Sequence, residues 1–168
     1  MRNRRRSALY NVMFPLWMLI WFPSWLWLLL IPANYLIDRI VLWWSLGSAE
    51  NRQQFCRQHT WKICLAGFAS DFAGSLLLLG AYLLLSSSDS GWAHDIIWGL
   101  GFNPFSSVVG FLVTAAAIAL SGACIYALDL RIIRKTGLSE DQSRHSALML
   151  AVCTAPYLFL IPSQLLYQ

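Results

Sequence analysis

Ile31-Pro32-Ala33-Asn34-Tyr35-Leu36-Ile37-Asp38-Arg39-Ile40 sets an amide, an acid and a base inside a run that is otherwise soluble in lipid. By insertion scales, a charged group at the centre of a bilayer costs about 3 kcal/mol. Such residues therefore face a protein interior or a wet cavity. This stretch is where fold and function first have to be reconciled.

Working outward, the surrounding chain fits a membrane environment. Hydrophobic residues make up 58% of the 168 positions and charged residues only 12%, with a mean hydropathy of +0.55. That balance belongs to a membrane protein rather than a soluble domain. The charges are also gathered, at Arg2 to Arg6, between Glu50 and Lys62, and between Asp129 and Arg144, leaving long apolar runs between them. A pI near 9.1 accompanies no nucleic-acid recognition motif, and juxtamembrane residues attracted to anionic headgroups account for it. The partner expected from composition is the lipid bilayer, not nucleic acid.

Helical periodicity and turn signals divide the chain into about five hydrophobic segments. The first, residues 11–31, is rich in tryptophan and interrupted by Pro15 and Pro23, so it is either a kinked span or a re-entrant hairpin turning near Pro23-Ser24. The second, 32–46, is short for a span at 1.5 Å per residue and ends at Gly47-Ser48. Residues 49–62 are expected to form a short cytosolic helix with Ser48 as its N-cap. The third segment is 63–85, followed by a serine-rich turn containing Asp89. Asn103-Pro104 looks like a helix start, with a fourth segment at 105–128 continuing as helix to Gly137. Ser139 and Gln142 have capping spacing, and a fifth segment from about 140 to 161 is expected to kink at Pro156. The fold class expected is an all-α, polytopic transmembrane bundle forming one integral membrane domain over residues 1–168.

Every Lys and Arg except Arg39 falls in residues 1–10, 47–62 or 129–144, and the 86–104 loop has none. Cytoplasmic flanks accumulate these residues. With an out-and-back hairpin over 11–46, all three basic stretches lie inside, which predicts a multi-pass protein of the cell (plasma or inner) membrane with a cytoplasmic N-terminus and an external C-terminus. Met1 to Ile31 lacks a good cleavage site and reads as a retained anchor, and Arg5-Arg6 lacks the context of a twin-arginine signal. Cys56, Cys64, Cys124 and Cys153 have neither zinc-type nor Cys-x-x-Cys spacing, so no disulfide framework is implied.

Asn34, Asp38, Val41 and Ser45 share one face of the second segment, while Arg39 points away from Asp38. The third carries a small and polar stripe, Gly67, Ser70, Asp71 and Gly74, suited to close helix approach. These residues predict a buried polar cluster or conduction site of Asn34, Asp38, Arg39 and Asp71, with Arg39 offsetting one or both acids. Gly110, Thr114, Ala117, Ser121 and Cys124 form a comparable packing stripe in the fourth segment, and Ser146, Cys153 and Tyr157 share a face of the fifth, read as core. His59, His94 and His145 are too dispersed for a shared metal site. His94-Asp95 is the one weak cation candidate.

Nucleophile elbow, P-loop, His-Glu-x-x-His and dinucleotide signatures are absent. Asp38 and Asp71 are the one pair an intramembrane protease would have, and neither sits in a catalytic motif. The expectation is a non-enzymatic protein without cofactor, metal or catalytic residues. Its acid and arginine cluster is read as structural, and its small-residue faces as binding other membrane proteins in an accessory or assembly role. The alternative is a small oligomeric transporter or channel for protons, ions or small solutes that uses the same cluster.

Overall fold

The computed structural model describes residues 15–21, 25, 27–47, 51–88 and 90–166. They are helical, with no strand among them. α1 is Trp27–Ser45, α2 Arg52–Ser86, α3 Gly91–Gly101, α4 Val108–Arg134 and α5 Glu140–Thr154. Short 3-10 turns occupy Leu16–Ile20, Pro104–Ser106, Tyr157–Leu160 and Ser163–Leu166. α2 and α4 are long and apolar enough to cross a membrane. At 1.5 Å per residue they measure about 52 and about 40 Å, against a hydrocarbon core of about 30 Å.

Several expected boundaries move. Residues 49–62 and 63–85 are not separate helices: from Arg52 onward they form one continuous α2. No turn or proline intervenes to break the backbone ladder, so the change from polar to apolar residues alters what the helix touches and not whether it continues. Pro32 does not open a segment either. It sits inside α1, which begins at Trp27. A proline near a helix start loses only a bond to the first turn and leaves the rest of the ladder intact. The proposed apex at Pro23-Ser24 and the Ser48 cap lie outside the described residues.

α2 and α4 are antiparallel and form the central pair. Their small residues bring the backbones together, and Ser121 Oγ donates to Ser70 O across the seam at 3.1 Å. Thr60, Ser70 and Thr114 each donate to a carbonyl four residues back in their own helix. These hydroxyls are thereby satisfied where water is absent. α3 packs on the same pair, with Gly99 and Gly110 in close approach.

α5 starts where Ser139 Oγ accepts from Gln142 N at 3.3 Å and stops at Thr154. Pro156 ends the α-helix outright rather than kinking it, and the chain continues as 3-10 turns. Cys153 and Tyr157 are exposed, so of that face only Ser146 is core. α4 is capped by Ser107, while Asn103 caps the 3-10 turn that begins at Pro104. After Arg134 the chain turns through Gly137 at φ +84, a conformation glycine adopts without steric penalty.

Two core clusters mark the two ends. Leu42, Leu46, Cys56, Ile133, Ala147 and Leu150 pack together where α1 and α4 finish and α2 and α5 begin. Arg52, Arg57, Lys62, Arg131, Arg134, Lys135 and Arg144 flank that cluster and define a basic end. Trp17, Leu78, Ile96, Leu100 and Phe159 form the other cluster, at the α3 end.

The described residues between 15 and 45 descend between these ends once. Trp17 Nε1 donates to Leu100 O at 2.8 Å, Trp21 lies 4.4 Å from the Phe72 ring, Trp27 stacks on Phe68, and Ser45 Oγ donates to Ser146 Oγ at 3.0 Å. The expected out-and-back path over 11–46 is therefore absent from its described part, and Pro15 stands at the α3 end. The physical reason is that Trp17, Trp21 and Trp27 find ring partners along α2 instead of forming a second antiparallel limb. The N-terminal arginines lie outside the described residues.

Candidate functional site

Asp38 is the most deeply placed of the four residues singled out from the sequence, 2% exposed on the inner face of α1. Helical spacing carries Val41 and Ser45 onto the same buried face. The Cys64 thiol of α2 lies beside its carboxyl, and Asp38 Oδ2 has no partner. Asp71 sits half-buried on α2, with Oδ1 unpartnered. Asn34, one turn from Asp38, is half-exposed and makes no side-chain hydrogen bond among the described residues.

Arg39 is not in this group. The ion pairs among the described residues are Arg134–Glu140 and Arg144–Glu140, and neither Asp38 nor Asp71 has a cation. As successive helix positions diverge by about 100°, Arg39 leaves the Asp38 face. Its guanidinium instead lies within electrostatic reach of Cys56, together with Arg52. The arginine expected to offset the acids serves the basic end.

A third acid takes part that sequence reading assigned to the cytoplasmic continuation of the fourth helix. Asp129 is 1% exposed on α4, both of its carboxyl oxygens lack partners, and it is within electrostatic reach of Asp38. Asp38 also acts on Asp71. Asp129 was missed because Arg131 and Arg134 follow it closely. The signal that finds it is periodicity: the buried positions Thr114, Ala117, Ser121, Ile125 and Asp129 continue one stripe. Ser143, fully buried on α5, has an unpartnered hydroxyl as well.

Three helices thus bring carboxyls into the interior with no positive charge among them. Burying an unpaired carboxylate is far more costly than burying a neutral acid. Each acid needs a proton or a bound cation. Among the described residues no three His, Cys, Asp or Glu side chains are gathered closely enough to hold a metal ion. His59 packs on Phe55, and His94, Asp95 and His145 are exposed.

Two cavities open on the surface between α1 and α2. One of about 540 Å³ is lined by Trp43, Asn51, Arg52, Gln53, Gln54 and Arg57. The other, about 560 Å³, runs beside Trp27, Ile31, Tyr35, Trp61, Leu65 and Phe68. Neither is lined by Asp38, Asp71 or Asp129. No family model, curated protein or solved structure matches the chain.

Proposed function

We propose that the chain is a small multi-pass membrane protein that carries protons through its interior on Asp38, Asp71 and Asp129, as a proton channel or a proton-coupled transporter. Its basic end faces the cytoplasm and its C-terminus the outside. Two helices long and apolar enough to cross a membrane support the location. The concentration of Lys and Arg at one end of the bundle supports the orientation.

The observation that carries the activity is the set of unpartnered carboxyl oxygens on Asp38, Asp71 and Asp129, contributed by three helices and left without Arg39. A purely structural cluster would pair its charges, because unpaired ones weaken the bundle they are meant to hold. Ionisable groups retained inside a membrane are a recurrent feature of proton relays. The accessory role read from small-residue faces has less support, since α2 and α4 use those faces on each other.

The test is proton flux in proteoliposomes under an imposed pH gradient, followed with an internal pH dye. Wild-type protein should dissipate the gradient faster than empty vesicles, and Asp38→Asn and Asp129→Asn should each abolish the difference while remaining folded. Wild-type vesicles that hold the gradient as empty ones do, with or without Na⁺ or K⁺ on either side, would overturn the proposal.

A further inference from the structure

Arg39, Arg52 and Arg57 have no carboxylate within ion-pair distance among the described residues, and Arg52 and Arg57 line the cavity at one end of the α1–α2 groove. Arg52 is held in place: Nη1 donates to Gly47 O at 2.6 Å, and Cζ lies 3.8 Å over the Trp43 ring. That leaves most of its donors free. Arg57 is exposed on the next turn, and it lines the same cavity as Arg52. Arg39 belongs to the face of α1 that runs from Tyr35 to Trp43, and it shares the neighbourhood of Cys56 with Arg52.

Along the same helix faces the chemistry changes abruptly. On α2, Arg57 is followed at helical spacing by Trp61, Leu65 and Phe68, and on α1 Trp43 is preceded by Leu36, Ile31 and Trp27. Apart from Tyr35 and Cys64, the second cavity is bordered by apolar side chains. The parallel stack of Trp27 on Phe68, 6.1 Å between centroids, closes its far end. From Arg57 to Phe68 the helix rises about 16 Å. One leaflet of a hydrocarbon core about 30 Å thick has nearly that depth.

A cationic pocket, followed along the same pair of helices by a separate apolar slot about one leaflet deep, has the amphipathic profile of a phospholipid. We propose that the α1–α2 groove binds one anionic phospholipid, with its phosphate on Arg39, Arg52 and Arg57 and an acyl chain against Trp61, Leu65 and Phe68. Among the described residues the lining of that pocket is cationic, polar or aromatic without an acid, so a headgroup with net negative charge is favoured over a zwitterionic one. Guanidinium groups also suit phosphate geometry, since their forked donors can engage two oxygens at once. Free phosphate would share the arginines but leave the apolar slot empty. The site rests on the membrane placement above and is independent of the proton pathway.

The experiment is native mass spectrometry of the full chain released from detergent after titration with phosphatidylglycerol, phosphatidylcholine or inorganic phosphate. One phosphatidylglycerol should be retained, with a preference over phosphatidylcholine of about fivefold for each arginine engaged, and phosphate alone should not be. Arg57→Gln and the double variant Arg39→Gln/Arg57→Gln should lower that preference stepwise, while Arg57→Lys keeps most of it. Leu65→Trp, which fills the slot, should reduce retention of both lipids. Equal retention of the two lipids by wild type, or unchanged phosphatidylglycerol retention in the double variant, would overturn the site. Failure of the membrane reading is separable, because the protein would then leave the membrane fraction on carbonate extraction.

Discussion

At Gly74 there is no room for even one more carbon. A β-carbon placed there would lie 2.8 Å from the Ala117 carbonyl oxygen and closer still to Ser121 Oγ. The serine can rotate, but the carbonyl belongs to α4 and cannot yield without moving the helix. Gly74→Ala should destabilise the bundle by about 1–3 kcal/mol, measured as loss of helicity in an SDS titration. Ser121→Ala should cost about 0.6 kcal/mol, the mean for a hydrogen bond between membrane helices. The acids call for the opposite outcome. If Asp129 is neutral in the fold, Asp129→Asn replaces it with a group of similar size and no new charge, and stability in the same titration should change by no more than about 1 kcal/mol. A large loss would mean that the native carboxylate is ionised and paired.

The turn between α4 and α5 depends on one exposed carboxylate. Glu140 receives Arg134 on both oxygens and Arg144 Nε on Oε1 at 2.7 Å. Hydrogen bonds from these two guanidinium groups pull its carboxyl down to about 2, from an ordinary value of 4.5. A lowered folded-state value means that the stabilisation is fully present above pH 4.5 and is lost as pH falls toward 2. Hydrogen exchange at the first amides of α5 should accelerate over that window in wild type, and Glu140→Gln should exchange fast throughout without the acid-induced step. Solvent screening keeps the effect local. Gly137, at φ +84, is the second requirement of this turn. Replacing it with a β-branched residue would place that side chain in a left-handed backbone conformation it rarely adopts.

Across the whole molecule the layout makes a topological statement that labelling can check. Asp95 lies exposed on α3 and Lys135 exposed beyond α4, at opposite ends of the bundle. Asp95→Cys should react with a membrane-impermeant maleimide on intact cells, whereas Lys135→Cys should react only in inverted vesicles. The measurement should use a background in which the exposed Cys153 is replaced by serine. Reaction of both positions from one side would rule out the proposed crossing of α4. The single descent adds a second check: a cysteine in place of the part-exposed Leu16 should label with Asp95→Cys and not with Lys135→Cys.

Much of this was legible without coordinates, because it depends on local spacing. The long apolar runs of α2 and α4, the stop at Gly137, the Ser139 cap and the packing stripe through Ser70, Gly74 and Ser121 all follow from periodicity and turn chemistry, which act over a few residues. Asp129, although it continues the buried stripe of α4, was obscured by the basic residues that follow it. Where Arg39 goes and that the described part of residues 15–45 makes one passage could not be read from local spacing. Each depends on which side chains lie across a helix interface. Phe72 and Phe68 of α2 supplied ring partners for Trp21 and Trp27, and the α4 face shared with Ser121 and Ile125 carried Asp129 inward while Arg131 and Arg134 stayed exposed. Linear sequence determined the helices and their greasy faces; only packing in three dimensions decided which charges would be left together inside, because interhelical contact is a property of surfaces that are far apart along the chain.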